Sequence, residues 1–213
     1  MCTRYYMELS PELRPFIERA MNAPLREKIV TKLGKPMITE GEVRPTDIAP
    51  VIAPDSKAHS PQVFPMVWGF SNPKGGGPPL VNCRIETAYQ KPLWKQSWER
   101  CRCVIPTSYY FEWEHYTSPE GAKKTGPKYM LQPAGCAVTY LAGLYKIEER
   151  AGIKIPVFTV LTREPGSNIR FIHERMPVIL SKDDVTSWMD SASDPKEISD
   201  RAITDLYYEK VPK

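Results

Sequence analysis

The sequence predicts a soluble α+β protein in which strands outnumber helices. Hydrophobic residues are 41% and charged residues 25% of the 213 positions, the balance of an ordinary globular protein with enough apolar material for a core. The 22 prolines are about twice the usual share, and proline breaks helices and interrupts central strands, so short strands, many loops and few long helices are expected. Helical spacing is confined to a few short windows.

The elements follow in order. Residues 2–7 read as a strand. Ser10 is placed to cap a helix over 11–21, with Pro11 at its first position and Leu13, Phe16, Ile17 and Ala20 at helical spacing. A second helical stretch runs to Leu33 and stops at Gly34. Residues 36–54 are extended and proline-punctuated, suited to edge strands, and 63–70 form a strand. The Gly- and Pro-rich stretch 71–79 reads as a mobile surface loop, because strand patterns continue on both sides of it. One domain over 1–213 is therefore expected, although the length alone also fits two small ones. Residues 80–86 are a strand, 90–100 a helix with Leu93, Trp94 and Trp98 on one face, and 101–106 and 109–114 strands. The polar stretch 114–127 reads as a hairpin loop. Strands over 128–132, 137–146 and 154–162, a short strand at 178–180, a helix over 182–189 and a last strand within 204–211 complete the chain.

Several function classes are excluded or disfavoured. No apolar run approaches the roughly 18 residues that span a bilayer, and the start lacks a basic segment followed by an apolar one, so a cytoplasmic protein with no membrane partner and reduced cysteines is expected. Cys101 and Cys103 form Cys-x-Cys, not the spacing of a zinc or redox site. No nucleotide-binding glycine motif accompanies the 71–79 loop. The net charge of +4 and pI of 8.7 tolerate a nucleic-acid partner without demanding one.

The chemistry-bearing candidate is Cys2. Removal of Met1 would leave it with an α-amine of pKa about 8 and a thiol of about 8.5 on adjacent carbons. This 1,2-aminothiol can trap an aldehyde first as an imine and then as a five-membered thiazolidine. Three histidines are present. His59 and His115 lie in polar stretches and read as solvated, whereas His173 suits either a structural hydrogen bond or acid–base work. Glu112 sits between Phe111 and Trp113, whose bulk would desolvate it and raise its pKa. Asn82 offers a paired donor and acceptor, either to a strand edge or to a nucleophile. Trp68 is a core residue or, beside the glycine-rich loop, a stacking platform for a base. Arg4, Arg84 and Arg175 are surface charges or, together, a phosphate grip.

These residues fall within motifs that resemble one family. Met1-Cys2-x-Arg4, Val67-Trp68-Gly69 and Asn82-x-Arg84-x-Glu86-Thr87 are followed by Arg102-Cys103-x-x-Pro106, Phe111-Glu112-Trp113 and Ile172-His173-x-Arg175-Met176-Pro177-x-Ile179-Leu180. In this order, over residues 1–180, they resemble the SRAP family of abasic-site-shielding, SOS-response-associated peptidases. The resemblance implies a single α+β domain with a mixed, barrel-like β core and a few peripheral short helices. It implies a covalent thiazolidine link between Cys2 and the aldehyde of an abasic site in single-stranded DNA. No cofactor or metal is expected, nothing in the sequence suggests more than a monomer, and in a bacterium the protein would be nucleoid-associated. It makes Cys2 the nucleophile, Asn82 the holder of its amine, Glu112 the proton shuttle and His173 the group that assists sugar opening. Arg4, Arg84 and Arg175 match backbone-gripping positions, Trp68 a wedge, and Thr162 a phosphate or sugar contact. The chain departs from the family pattern at Thr3, at Glu42-Val43-Arg44-Pro45 and at Tyr110, none of which carries the chemistry. Two other functions fit the same residues: a thiol peptidase using Cys2, His173 and Glu112, and a non-covalent single-strand binding module relying on the arginines and Trp68.

Overall fold

Strand β1 (Arg4–Met7) opens a computed structural model in which residues 2–55, 60–73 and 75–212 are described. The expectations for Met1 removal, for a solvated His59 and for the Lys74 portion of the 71–79 loop lie outside the described residues. Two helices follow, α1 (Arg14–Met21) and α2 (Leu25–Leu33). Ser10 starts the first one turn early: its hydroxyl accepts from the Leu13 amide at 3.2 Å and its carbonyl from the Arg14 amide at 2.9 Å. Residues 11–13 are thus a turn leading into the helix. Gly34 ends α2 in the left-handed region at φ 63°, where a Cβ would be strained.

Then come β2 (Gly41–Val43), β3 (Ile48–Ala53) and β4 (Gln62–Trp68). β5 (Asn82–Arg84) runs directly into the one-turn helix α3 (Ile85–Ala88), and α4 (Pro92–Arg100) precedes β6 (Arg102–Thr107) and β7 (Tyr109–Thr117). β8 (Lys123–Gln132), β9 (Thr139–Arg150) and β10 (Ile153–Arg163) are the long strands. β11 (Met176–Pro177), β12 (Ile179–Leu180), α5 (Asp184–Met189), α6 (Pro195–Asp200) and β13 (Tyr207–Lys210) finish the chain.

Five strands close a barrel. β4 pairs β3, β3 pairs β6, β6 pairs β9 and β9 pairs β10, all antiparallel, and β10 returns to β4 in parallel. Closure protects these strands from free edges. A second sheet runs in the order β13-β8-β7-β1-β2. Alternate residues of the barrel strands serve two cores, as the period of two requires. Ile48 and Ile52 of β3 join the core that Ile29, Trp94 and Trp188 bring from the helices. Ala49, Val51 and Ala53 join the core shared with Cys2, Tyr5, Val43 and Tyr110 of the second sheet and its approach. The fold is the α+β, barrel-cored arrangement expected.

Three element expectations need correction. Residues 36–54 do not form only edge strands, because every residue of β3 is buried and β3 pairs with both β4 and β6. Pro50 stands opposite Pro65 in the β3–β4 ladder. Antiparallel ladders alternate bonded and non-bonded pairs, and two facing prolines fit the non-bonded kind, where no donor is missed. The proline count therefore does not keep strands short, and β9 runs for 12 residues. The stretch 114–127 is largely ladder, continuing through His115 opposite Thr125 to Thr117 opposite Lys123. Exposure of those residues on the ribbon removes the hydrophobic alternation that marks a strand. Helix α6, absent from the periodicity, is capped by Asp194, which accepts from the Lys196 amide at 2.8 Å beside Pro195. Among the described residues no helix is long and apolar enough to cross a membrane.

Candidate active site

Strand β5 explains how Asn82 reaches the start of the chain. β4 pairs with β10 at Val157 and Phe158, and β5 takes over the same lane at Val160 to Thr162. Asn82, opposite Val160, then donates from Nδ2 to the carbonyl oxygen of Cys2 at 2.8 Å, across 80 residues of sequence. Its Oδ1 is buried without a hydrogen-bond partner among the described residues. Cys2 is fully buried, and its Sγ donates to the Arg4 carbonyl at 3.6 Å. Burial pushes the Cys2 thiol far up, and the carboxylate charge of Glu112 pushes it further.

Glu112 comes from β7, which β1 and β8 flank. Phe111 and Trp113 lie on the other side of the strand, where Lys128 places its ammonium 3.5 Å and 5.3 Å from their ring centroids. Glu112 is buried, its Oε1 accepts from the Trp113 amide at 3.3 Å, and burial raises its carboxyl above the usual range. The desolvation expected from its aromatic neighbours is thus present, but the walls on its own side include Tyr110, whose hydroxyl burial also pushes up.

His173 is fixed by the backbone. Its Nδ1 accepts from the Arg175 amide at 2.9 Å, so a neutral ring carries its proton on Nε2. Burial, with the nearby charge of His115, lowers its pKa to about 4. His115 is exposed, as expected of a solvated residue, but it is not without contacts. Its amide donates to the Ile172 carbonyl at 2.9 Å and its ring centroid lies 4.8 Å from that of His173. β7 therefore carries Glu112 and, three positions on, the residue that braces His173. A groove of ≈ 500 Å³ opens there, lined by His115, His173, Lys123, Lys124, Arg170 and Glu174 among others. Sequence reasoning missed this basic wall because its lysines lie in the ribbon that reads as loop. The pairing of Thr117 with Lys123 and of Tyr116 with Lys124, which brings these lysines to the groove, has no local trace in the sequence.

The remaining predicted residues separate sharply. Arg84 is exposed beside Asn82. Arg4 is half-buried, 3.1 Å from Glu42 and donating to the Thr3 carbonyl at 2.7 Å. Glu42 also pairs with Arg44 and Lys128 at 2.8 and 2.9 Å. Partial burial opposes its charge, but hydrogen bonds from Lys128 and Arg44 outweigh this and hold the carboxyl below its ordinary range. Arg175 is buried and occupied: both terminal nitrogens meet Glu86 at 2.8 Å, and one also donates to the Thr162 carbonyl at 2.6 Å. Its fork ties β10 to α3. Thr162 is fully buried with its hydroxyl 3.4 Å from the Cys83 carbonyl. Trp68 takes the core position, one of its two readings. It is 0% exposed, donates from Nε1 to the Val81 carbonyl at 3.0 Å, and stacks on Phe158 at 6.0 Å and 8°. Gly69 permits this turn: at φ 113° its Cβ would sit 2.7 Å from that of Pro79. Among the described residues no group of three or more His, Cys, Asp or Glu is placed to hold a metal ion.

The comparisons with known proteins agree with this geometry at the level of family and fold. The chain is 29% identical over 159 residues to the abasic site processing protein YoaM of Bacillus subtilis, covering 70% of this chain and 68% of that one. It is 28% identical over 140 residues to the abasic site processing protein YedK of Escherichia coli, covering 66% and 60%. For the abasic site processing protein YMR114C of Saccharomyces cerevisiae the identity is 28%, and only 39% of the relative is spanned. A crystal structure of a Bacteroides thetaiotaomicron protein superposes with a TM-score of 0.71 at 16% identity, over 99% of this chain and 92% of that one. A phage-related protein of Bordetella bronchiseptica does so with 0.69 at 21%, over 100% and 95%. The family model described as SOS response associated peptidase (SRAP) matches residues 1–211, and the chain belongs to that family.

Proposed function

We propose that the protein recognises abasic sites in single-stranded DNA and captures them covalently through Cys2 once Met1 is gone. The observation that carries the reading is the 2.8 Å hydrogen bond by which Asn82 holds the Cys2 carbonyl. Cys2 is buried, tethered from 80 positions away and set beside a carboxyl of raised pKa. The relatives' names supply the lesion.

The chemistry balances with the chain's own groups. The Cys2 amine attacks the aldehyde carbon of the opened sugar and one water leaves as the imine forms. The Cys2 sulfur then adds to the same carbon, and the thiol proton ends on the nitrogen, closing the thiazolidine. Glu112, its proton held tightly by burial, protonates the departing oxygen and takes the thiol proton in turn. His173, neutral near pH 7, presents Nε2–H for opening of the closed hemiacetal. Asn82 keeps the Cys2 backbone still and leaves Oδ1 to accept from the freed amine. Arg84, Arg4 and the groove cations Lys123, Lys124 and Arg170 supply salt-dependent, sequence-independent grip. A nucleotide without a base has no stacking to lose on entering such a site. The family description names a peptidase, and the same thiol and carboxyl would serve hydrolysis of the Met1–Cys2 bond that the capture requires.

The test is a denaturing gel after incubation with single-stranded abasic DNA, the amino terminus being established by mass spectrometry. Wild-type protein is expected to give a heat-stable one-to-one adduct. Cys2→Ala should give none while keeping its affinity for undamaged strands, and equal adduct yield from Cys2→Ala would sink the assignment.

A further inference from the structure

The sheet face that carries Glu112 extends outward into a cluster of aromatic rings that the capture chemistry does not use. Tyr129 stands opposite Glu112 in the β7–β8 ladder, and directly opposed residues project to the same face. Tyr208 on β13 stands opposite Leu131, two positions along β8, and so shares that face. Phe171 packs over both, its centroid 5.8 Å from Tyr129 and 5.3 Å from Tyr208, while the two tyrosines lie 6.0 Å apart. These rings are not sunk in the core: Phe171 is 48% and Tyr208 39% exposed. Phe171 also lies between two residues that line the basic groove, Arg170 and His173. The patch is therefore continuous with the site, bordered by Lys123, Lys124 and Arg170 on the groove side and by the exposed Lys210, opposite Tyr129, on the other.

A lesion without a base cannot be held by stacking on itself. Affinity for the strand has to come from phosphates and from the intact bases beside the lesion. Trp68, the ring the sequence offered for that purpose, is 0% exposed. Exposed aromatics interleaved with cations are the usual way in which proteins hold single strands without reading their sequence.

We propose that Phe171, with Tyr129 and Tyr208 behind it, is a stacking platform for an intact base of the strand flanking the lesion, where that strand leaves the basic groove. The assignment rests on the reading of the site as one for abasic single-stranded DNA. It predicts no base preference, because every base presents a π-face.

The experiment uses fluorescence anisotropy with oligonucleotides of equal length and charge, each bearing one stable abasic analogue. In one set the flanking nucleotides are intact; in two others the bases on one side are replaced by abasic spacers, so that phosphates remain and stacking is lost. Wild-type protein is expected to bind the intact strand about tenfold tighter than one of the two spacer strands. Phe171→Ala should erase that difference, Phe171→Trp should keep it, and Tyr208→Ala should reduce it, all with unchanged melting curves. No flank preference in the wild type, or a full preference retained by Phe171→Ala, overturns the platform; the second result would return the patch to a role in docking a protein. Adduct formation on an abasic strand is scored separately. Flank preference without any adduct removes the capture chemistry and leaves the platform, whereas normal adduct without flank preference removes the platform alone.

Discussion

Two stretches of β7, three residues apart, sit in opposite environments. On its inner side Glu112 has buried neighbours: Cys2, Tyr5 and Tyr110 have next to no exposed surface, and each has its proton held more tightly by desolvation. Around His115 the strand leaves the core and runs beside the exposed Lys123 and Lys124 of β8. Under the proposed function, the difference separates two tasks that one site has to combine. Proton transfer at neutral pH needs burial, because burial moves a carboxyl toward neutrality. Attraction for a polyanion needs charges that remain hydrated and free. The arginines divide in the same way, with Arg175 committed to Glu86 and Arg84 left in solvent.

The comparison can be broken most forcefully at Trp68. If the ring is core, Trp68→Ala should cost about 3–5 kcal/mol of stability, read as a large fall in melting temperature, with the folded fraction binding undamaged strands as before. A loss of affinity without loss of stability would move Trp68 to the exposed half. Next in size is Glu112→Gln, which keeps shape but carries no transferable proton. The adduct rate should fall about 100-fold, measured by quenched time courses. Burial raises the folded carboxyl above its unfolded value, so folding binds protons there, and stability declines as pH rises through that interval. Glu112→Gln should therefore flatten the decline of melting temperature above the ordinary carboxylate range.

His173 sharpens the boundary with the opposite sign. Its pKa falls from 6.5 to about 4 on folding, so the unfolded chain holds more protons between those values and stability drops as pH falls through them. In His173→Asn that drop should be smaller, as scored by melting temperature at pH 7 and pH 4.5. The smallest effects belong to the exposed half. Lys123→Ala, Lys124→Ala and Arg170→Ala should each weaken undamaged-strand binding a fewfold and lower the slope of log affinity against log salt by up to about 1, leaving adduct yield at saturating DNA unchanged. A variant in this group that blocks capture at saturation would show that grip and chemistry are not separable.

Local signals carried much of the fold. Gly34 and the aromatic alternation around Glu112 act through their immediate neighbours, and the structure uses both as their chemistry suggests, whereas Ser10 caps a turn and α1 begins only at Arg14. What the sequence concealed depends on partners far away. Pro50 suits a central strand only because Pro65 faces it, and the 114–127 stretch is a ladder only because its two arms meet. The site divides along the same line. Cys2, Asn82, Glu112 and His173 stand out by residue type and motif, but whether an arginine or tryptophan is free depends on what folds over it. Glu86 and Phe158 decide that for Arg175 and Trp68, and neither pairing has a local trace. His115 was concealed because its partner lies 58 positions further on.

The irregularity in the β7–β8 ladder has a consequence of its own. Between Trp113 and His115 one residue of β7 faces two of β8, and such a bulge resets the count along a ribbon. It acts as a coupling between two segments that need not keep the same phase. On one side, the pairing of Glu112 with Tyr129 is anchored by the core; on the other, the exposed arms can lengthen or shorten in pairs of residues without a slip reaching the carboxyl. The length of the exposed basic ribbon is thereby uncoupled from the register that places Glu112 opposite Tyr129.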